Sequence, residues 1–275
     1  MNIGGHDIGV CSWSLQDKNF ADLAGHLKEL GVSHVQLALA SLIDLEEREL
    51  EKGLVPLEDA GINFTAGMIA FEAENYSTIE SIRKTGGFAL DAVWPVRKKA
   101  AIAAGKMAAK MNVPYVSTHI GFVPKAGQPG YRVIRTRVRE IAAAFADAGA
   151  DLLLETGQES AEELREFLET LDSPNVGINF DPANMILYGA GDPIEAIGIL
   201  GSYIKHVHVK DATPSKKPGV EWGEEVPFGT GQVGPTRFLA ALKKIGYSGP
   251  LVIEREAGKQ RLADVKAAIA TLEKA

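Results

Sequence analysis

The chain has 275 residues, 45% of them hydrophobic and 24% charged, with a formal net charge of −7. That composition is ordinary for a globular protein, and the acidic balance gives no general attraction to nucleic-acid phosphates. One cysteine, Cys11, excludes an internal disulfide and suits a reducing cytosol. The N-terminal stretch lacks a basic region followed by an apolar core, and no apolar run is long enough to cross a bilayer. A cytoplasmic protein is expected, with no membrane and no nucleic acid among its partners.

Short β-rich runs alternate with longer amphipathic stretches. The first run is Ile8–Ser12, followed by a helical pattern through Phe20, Leu23, Ala24, Leu27 and Leu30 that Gly31 stops. The second run, His34–Leu39, precedes a weaker helix over Glu46–Asp59, where Gly53 and Pro56 break the pattern. The third, Asn63–Met68, leads into an excursion over Ala73–Val93. Tyr115–His119 and Leu152–Glu155 follow, with helical spacing through Val138–Phe145 between them and through Leu164–Leu171 after. Gly177–Phe180, Tyr203–Val209 and Leu251–Glu254 complete eight candidate strands. A second excursion spans Thr213–Val233, and the last helices run through Phe238–Ile245 and Leu262–Leu272.

Eight βα units with none left over predict one α/β domain over residues 1–275, a single (β/α)8 barrel with an extended loop at about 213–233. The rival, a doubly wound open sheet, would place a Gly-rich phosphate turn after the first strand. Cys11-Ser12-Trp13-Ser14-Leu15 stands there instead.

The chemistry concentrates at the carboxyl ends of the strands, which a closed parallel barrel brings to one face. Glu155, Asp181 and Glu254 end three of them, and a carboxylate after an apolar strand is costly to desolvate without compensation. The seventh strand carries His206, His208 and Lys210 on one face by the two-residue period. One of the histidines is expected beside the carboxylates, and His208, nearer the strand end, is favoured. Three carboxylates and an imidazole there suit one divalent ion, manganese first, with magnesium or zinc as alternatives. Lys210 is expected further out, toward a substrate oxygen or phosphate. His119 closes a strand and is read as a pocket residue, Trp13 as an apolar wall for a sugar ring. Gln36 and Asn184 are read as hydroxyl binders or loop caps. The stretch Phe228–Gly234 is Gly-rich but lacks the lysine and hydroxyl of a P-loop, so it reads as a flexible return loop that binds a polar ligand, if any, through its backbone.

Glu155, Asp181-Pro182-Ala183-Asn184, His206-Val207-His208-Val209-Lys210-Asp211, Phe228-Gly229-Thr230-Gly231 and Ile253-Glu254-Arg255-Glu256 together resemble the xylose-isomerase-like sugar phosphate isomerase/epimerase superfamily. Similarity to its ketose 3-epimerases implies Glu155, Asp181, His208 and Glu254 as ligands of one divalent ion, with the two glutamates moving the proton. Asn184 departs from those enzymes, which have a histidine at that place, and so implies a different substrate. The endonuclease relatives need further histidines on the third strand and in the loop after the seventh, and neither segment contains one. The resemblance therefore implies a metal-dependent isomerase or epimerase. It would act on a small sugar, keto-sugar or sugar phosphate through an enediolate, with His119 or Lys210 supplying a hydrogen bond. A lyase or dehydratase acting on a keto-sugar or inosose is the nearest alternative, and a non-catalytic sugar- or metal-binding barrel the second. The partner in each case is a small sugar or polyol, and a homo-oligomer is allowed.

Overall fold

A two-residue strand β1 (Asn2–Ile3) turns back antiparallel onto β2 (His6–Cys11), which opens the main sheet. The sheet continues through β3 (His34–Ala38), β4 (Asn63–Met68), β5 (Tyr115–Thr118), β6 (Asp151–Glu155), β7 (Val176–Phe180) and β8 (Ile204–Val209). A short hairpin, β9 (Asp211–Thr213) with β10 (Glu224–Val226), stands apart from it, and β11 (Leu251–Ile253) is the last strand. In this computed structural model, which describes residues 1–275, β2 pairs in parallel with both β3 and β11. The eight parallel strands therefore close into a (β/α)8 barrel, as the alternation predicts.

The helices are α1 (Phe20–Leu30), α2 (Glu47–Asp59), α3 (Ile79–Thr85), α4 (Trp94–Lys110), α5 (Tyr131–Ala148), α6 (Ala161–Leu171), α7 (Pro182–Tyr188), α8 (Pro193–Leu200), α9 (Pro235–Lys244) and α10 (Arg261–Leu272). Local chemistry sets their ends. Asn19 caps α1, and Gly31, in the left-handed region, returns its N–H to Leu27 and Lys28. Ser160 and Glu163 form a capping box on α6. Helix α2 runs unbroken through Pro56, contrary to the sequence pattern. Proline removes a single N–H near the helix's last turn, while Leu50, Leu54 and Leu57 bury one face. No helix is long and apolar enough to cross a membrane.

Outward-facing strand residues such as Val35, Leu37, Val207 and Val209 are fully buried beneath the helices. The inward face is polar over part of the barrel's length. Thr65, Gln36, Ser117, Asn179 and His206 are buried there and hydrogen-bonded to one another or to backbone.

Both excursions are anchored. In the first, Glu74 accepts from Gly87 N–H (2.7 Å), and Arg97 donates to Gly87 O (2.6 Å) while lying 3.9 Å from Glu74. Gly87 has φ +63°, and a Cβ there would stand 1.9 Å from the Ile120 carbonyl carbon, so only glycine allows this approach to the end of β5. In the second, the Gly-rich return is not a free ligand loop. Buried Asp211 accepts from the N–H groups of Gly229 and Gly231 at Oδ2 and of Ala212 and Val233 at Oδ1, all at 2.9 Å. The backbone donors expected to be available to a polar ligand are already satisfied internally. Asp211→Ala strands these buried amides and is expected to cost about 3 kcal/mol or more in urea unfolding. A loss below about 1 kcal/mol would mean that water or rearrangement replaces the carboxylate easily.

Candidate metal centre

Glu155 ends β6, Asp181 follows β7, His208 lies on β8 and Glu254 follows β11, so closure of the barrel brings all four to one mouth. Their ligand atoms lie within 4.8 Å of one another, and all four residues are buried. His208 Nδ1 faces Glu155 Oε1 at 3.3 Å and Asp181 Oδ2 and Glu254 Oε2 at 3.4 Å each. His206 stands deeper, with Nδ1 against Asn179 Oδ1 (2.7 Å) and Nε2 against Thr65 Oγ1 (3.0 Å). The structure thus groups His208, not His206, with the carboxylates.

Local folding aims each group. Asp181 is the N-cap of α7: Oδ1 accepts from Asn184 N–H (2.8 Å), leaving Oδ2 turned to the cluster. His208 Nε2 lies 2.6 Å from Gln36 Oε1, and the Gln36 amide donates to Ser117 Oγ (2.8 Å). The ring therefore donates through Nε2 and keeps Nδ1 for the carboxylate side, the usual way an outer partner orients a ligating histidine. Sequence reading offered Gln36 only as a hydroxyl binder or loop cap. Its place on the second strand, level with Cys11 in the register, was the available signal. Cys11 itself is fully buried 3.6 Å from His208 Nε2, and burial, partly offset by His208, pushes its thiol up to about 12.

Glu254 has both oxygens engaged. Trp13 Nε1–H donates to Oε1 and Lys210 Nζ to Oε2, each at 2.7 Å. Glu155 differs: Oε1 receives the Asn184 amide at 3.3 Å, but Oε2 is buried without a hydrogen-bond partner. His119 Nε2 lies 3.6 Å from that oxygen, and His119 Nδ1 is likewise buried and unpartnered.

One expected substrate contact, Lys210, is placed differently from the sequence expectation. Lys210 does not stand further out. It is 2% exposed, 2.7 Å from both Glu254 and Glu256, 3.3 Å from Asn184 Oδ1 and 3.6 Å from Asp181. The β8–β11 register pairs Ile253 with Val209, and Glu254 N–H donates to Val209 O, so the next residue, Lys210, comes level with Glu254. Asn184 spends its amide bridging Glu155 and Lys210. Burial works against charge on Lys210, yet Glu254, Glu256 and Asp181 hold it protonated well above the usual lysine range. Burial also pushes Asp181 and Glu254 upward, but Lys210 and His208 more than offset it and keep both ionised. His208 is raised well above the ordinary imidazole value, burial notwithstanding, by the Glu254 and Asp181 carboxylates. Burial and repulsion from His208 keep His206 neutral.

The donor set fits a divalent cation. With His208 neutral, as a ligating imidazole must be, three carboxylates against the Lys210 ammonium leave a formal excess of two negative charges, and one buried oxygen, Glu155 Oε2, lacks a partner. Above the cluster lies a cavity of about 570 Å3. Glu155, Glu254, His119 and Asn184 line its polar side, and Trp13, Tyr76, Tyr188 and Trp222 its aromatic walls. Tyr76 comes from the first excursion and Trp222 from the second. Trp222 Nε1–H donates to Tyr76 O (3.1 Å) and its ring meets Tyr188 edge-on at 4.6 Å. Tyr76, Tyr188 and Trp222 carry no local signal in the sequence, because only the fold brings the two excursions and the end of α7 together.

A closed barrel with this cluster at its carboxyl mouth defines the class. The model of the xylose isomerase-like TIM barrel family matches residues 11–275, and the chain belongs to that family. It is similar to a xylose isomerase domain protein from Planctomyces limnophilus, at 36% identity and a TM-score of 0.86 over 91% of this chain and 90% of that one. A xylose isomerase-like TIM barrel protein from Mycobacterium smegmatis, solved in complex with magnesium, shares 17% identity at a TM-score of 0.74, over 100% of this chain and 99% of that one. A D-psicose 3-epimerase from Clostridium cellulolyticum H10, solved with D-tagatose, shares 17% identity at 0.72, over 98% and 97%. At that identity the last two speak for the fold alone. An uncharacterised protein of Methanocaldococcus jannaschii is 34% identical over 98 residues, which span 34% of this chain and 31% of that protein.

Gln36→Leu removes the acceptor that orients His208 while keeping similar volume. It is expected to weaken magnesium or manganese binding about 10- to 100-fold by calorimetry. Unchanged affinity would mean that the amide does not set the ring.

Proposed function

We propose that the protein is a divalent-metal-dependent isomerase or epimerase of a small keto-sugar or related polyol, working by proton transfer at the carbon beside a carbonyl. One observation carries the reading: a buried four-donor set includes a glutamate, Glu155, that lines the cavity and has one oxygen without a hydrogen-bond partner. The magnesium complex of one relative and the D-tagatose complex of another support it.

Glu155, Asp181, His208 and Glu254 would hold the ion. When bound, it supplies Lewis-acid polarisation of a carbonyl oxygen, which acidifies the neighbouring C–H. Glu155 takes the proton: its side chain lines the cavity and its Oε2 has no hydrogen-bond partner, while Oε1 is steadied by Asn184. His119, 3.6 Å from that oxygen, donates a hydrogen bond to the substrate oxygen next to the reacting carbon. Glu254 is the weaker base, since the Trp13 indole and the Lys210 ammonium occupy both its oxygens. Its part is to fix Trp13 as a wall of the cavity and to hold Lys210. Lys210 acts as the internal counter-ion of the cluster rather than as a substrate ligand.

Metal analysis of the purified protein is expected to give about one divalent ion per chain, lost in Asp181→Ala. Keto-sugars and inososes incubated in deuterium oxide are expected to gain solvent deuterium, read by NMR, only with metal-loaded protein. Exchange that is independent of metal, or absent from every compound, would overturn the reading. Loss of water from the substrate would turn it toward a lyase. Glu155→Gln keeps one coordinating oxygen and loses the base, so exchange is expected to fall about 100- to 10,000-fold. Glu254→Gln is expected to keep more of it. Near-full activity of both variants at full metal occupancy would exclude either glutamate as the base.

A further inference from the structure

The cavity also carries information about the far end of its ligand. None of its fourteen lining residues is a lysine or arginine, and three are glutamates: Glu155, Glu254 and Glu256. Glu256 is the one not in the four-donor set. Its side chain is 52% exposed, with Oε2 2.7 Å from Lys210. Neighbouring cations are committed elsewhere. Lys210 is buried against two carboxylates, and Arg255 is held by Glu225 (2.6 Å) and Asp264 (2.9 Å). Arg261 donates to the main-chain oxygens of Trp13 and Glu256. Lys18 and Lys52 line a separate hollow that shares only Trp13 and Ala38 with this one. A phosphate group carries close to two negative charges at neutral pH and needs donors or cations to replace its water. This cavity offers it two buried glutamates, one exposed glutamate and aromatic walls.

On the functional reading above, we infer that the site takes an uncharged polyhydroxy ketone, free or ring-closed, and excludes its phosphate esters, with Glu256 as the residue that enforces the exclusion. Trp13, Tyr76, Tyr188 and Trp222 receive the C–H face of such a ligand, while its hydroxyls meet His119 and the glutamates. Glu256 is attached to the cluster through Lys210 and stands at the exposed side, so its charge faces whatever projects away from the reacting carbons.

Two of the three tryptophans, Trp13 and Trp222, line the cavity, which gives a binding readout independent of turnover. Magnesium-loaded protein is titrated with D-ribulose and D-ribulose 5-phosphate, D-fructose and D-fructose 6-phosphate, and 2-keto-myo-inositol, following tryptophan emission. At least one uncharged compound is expected to saturate the signal, and each ester to bind at least about tenfold more weakly than its parent. In Glu256→Gln, which preserves shape and an acceptor for Lys210, the ester-to-parent affinity ratio is expected to close by about tenfold at low salt. An ester that binds wild-type protein as tightly as its parent overturns the inference, as does a panel in which no uncharged compound binds, or a ratio unmoved by the substitution. Deuterium incorporation into an ester but not its parent would overturn this inference and leave the isomerase reading intact. Binding of an uncharged ketone without exchange in any compound would do the reverse.

Discussion

Three carboxylates are held out of water at the mouth of a parallel barrel, and most of the surrounding structure answers the cost of keeping them there. An ionised carboxylate moved from water to a protein interior loses far more than any one neutral hydrogen bond returns. Glu155, Asp181 and Glu254 are nonetheless 7% exposed or less. Charge from Lys210 and His208, amide donors from Asn184 and the start of α7, and the Trp13 indole all converge on them. Glu155 Oε2 is the oxygen this arrangement leaves unanswered, and the proposed chemistry is placed there for that reason.

The same constraint explains why the excursions are tied down. A loop that floated free would admit water to the cluster and raise its effective dielectric, weakening each of those interactions. Instead, Glu74 and Arg97 pin the first excursion, Asp211 knots the return of the second, and Glu225 joins the hairpin to Arg255 beyond β11. The two meet where the Trp222 indole donates to Tyr76 O. An aromatic roof over an acidic floor suits a ligand with an apolar face and several hydroxyls, and it resists a second anion.

Much of this was legible in the sequence, for physical reasons. All eight barrel strands appear at their expected places because a strand buried on both faces must read as a short apolar run. The ligand candidates follow from closure alone, since parallel strands present all their carboxyl ends to one side. Helix α4 gives no periodic signal because alanines occupy both its buried face and its half-buried flanks. Helix α2 was underrated because propensity penalises Gly53 and Pro56 while tertiary burial of three leucines outweighs them. What sequence could not give was side-chain direction past a strand's end. Asp211, Gln36, Asn184 and Lys210 all turn inward to other residues, and nothing local to their positions specifies those partners.

The β8 segment shows how one alternation yields three separate roles. Residues 206, 208 and 210 point to the barrel axis because successive side chains alternate, but they stand at different heights along it. The deepest, His206, meets only the uncharged Asn179 and Thr65, and burial with no counter-charge keeps it neutral. One step up, His208 reaches the level of the carboxylates and becomes their nitrogen partner. One step further, residue 210 falls level with Glu254, since the β8–β11 register pairs Ile253 with Val209 and Glu254 N–H donates to Val209 O. The Lys210 side chain lies there between Glu254, Glu256 and Asp181. A lysine that would have been the cavity's anion-binding group is thereby spent on neutralising the cluster. The placement of Lys210 thus links the electrostatics of the candidate metal centre to the kind of substrate the cavity can accept.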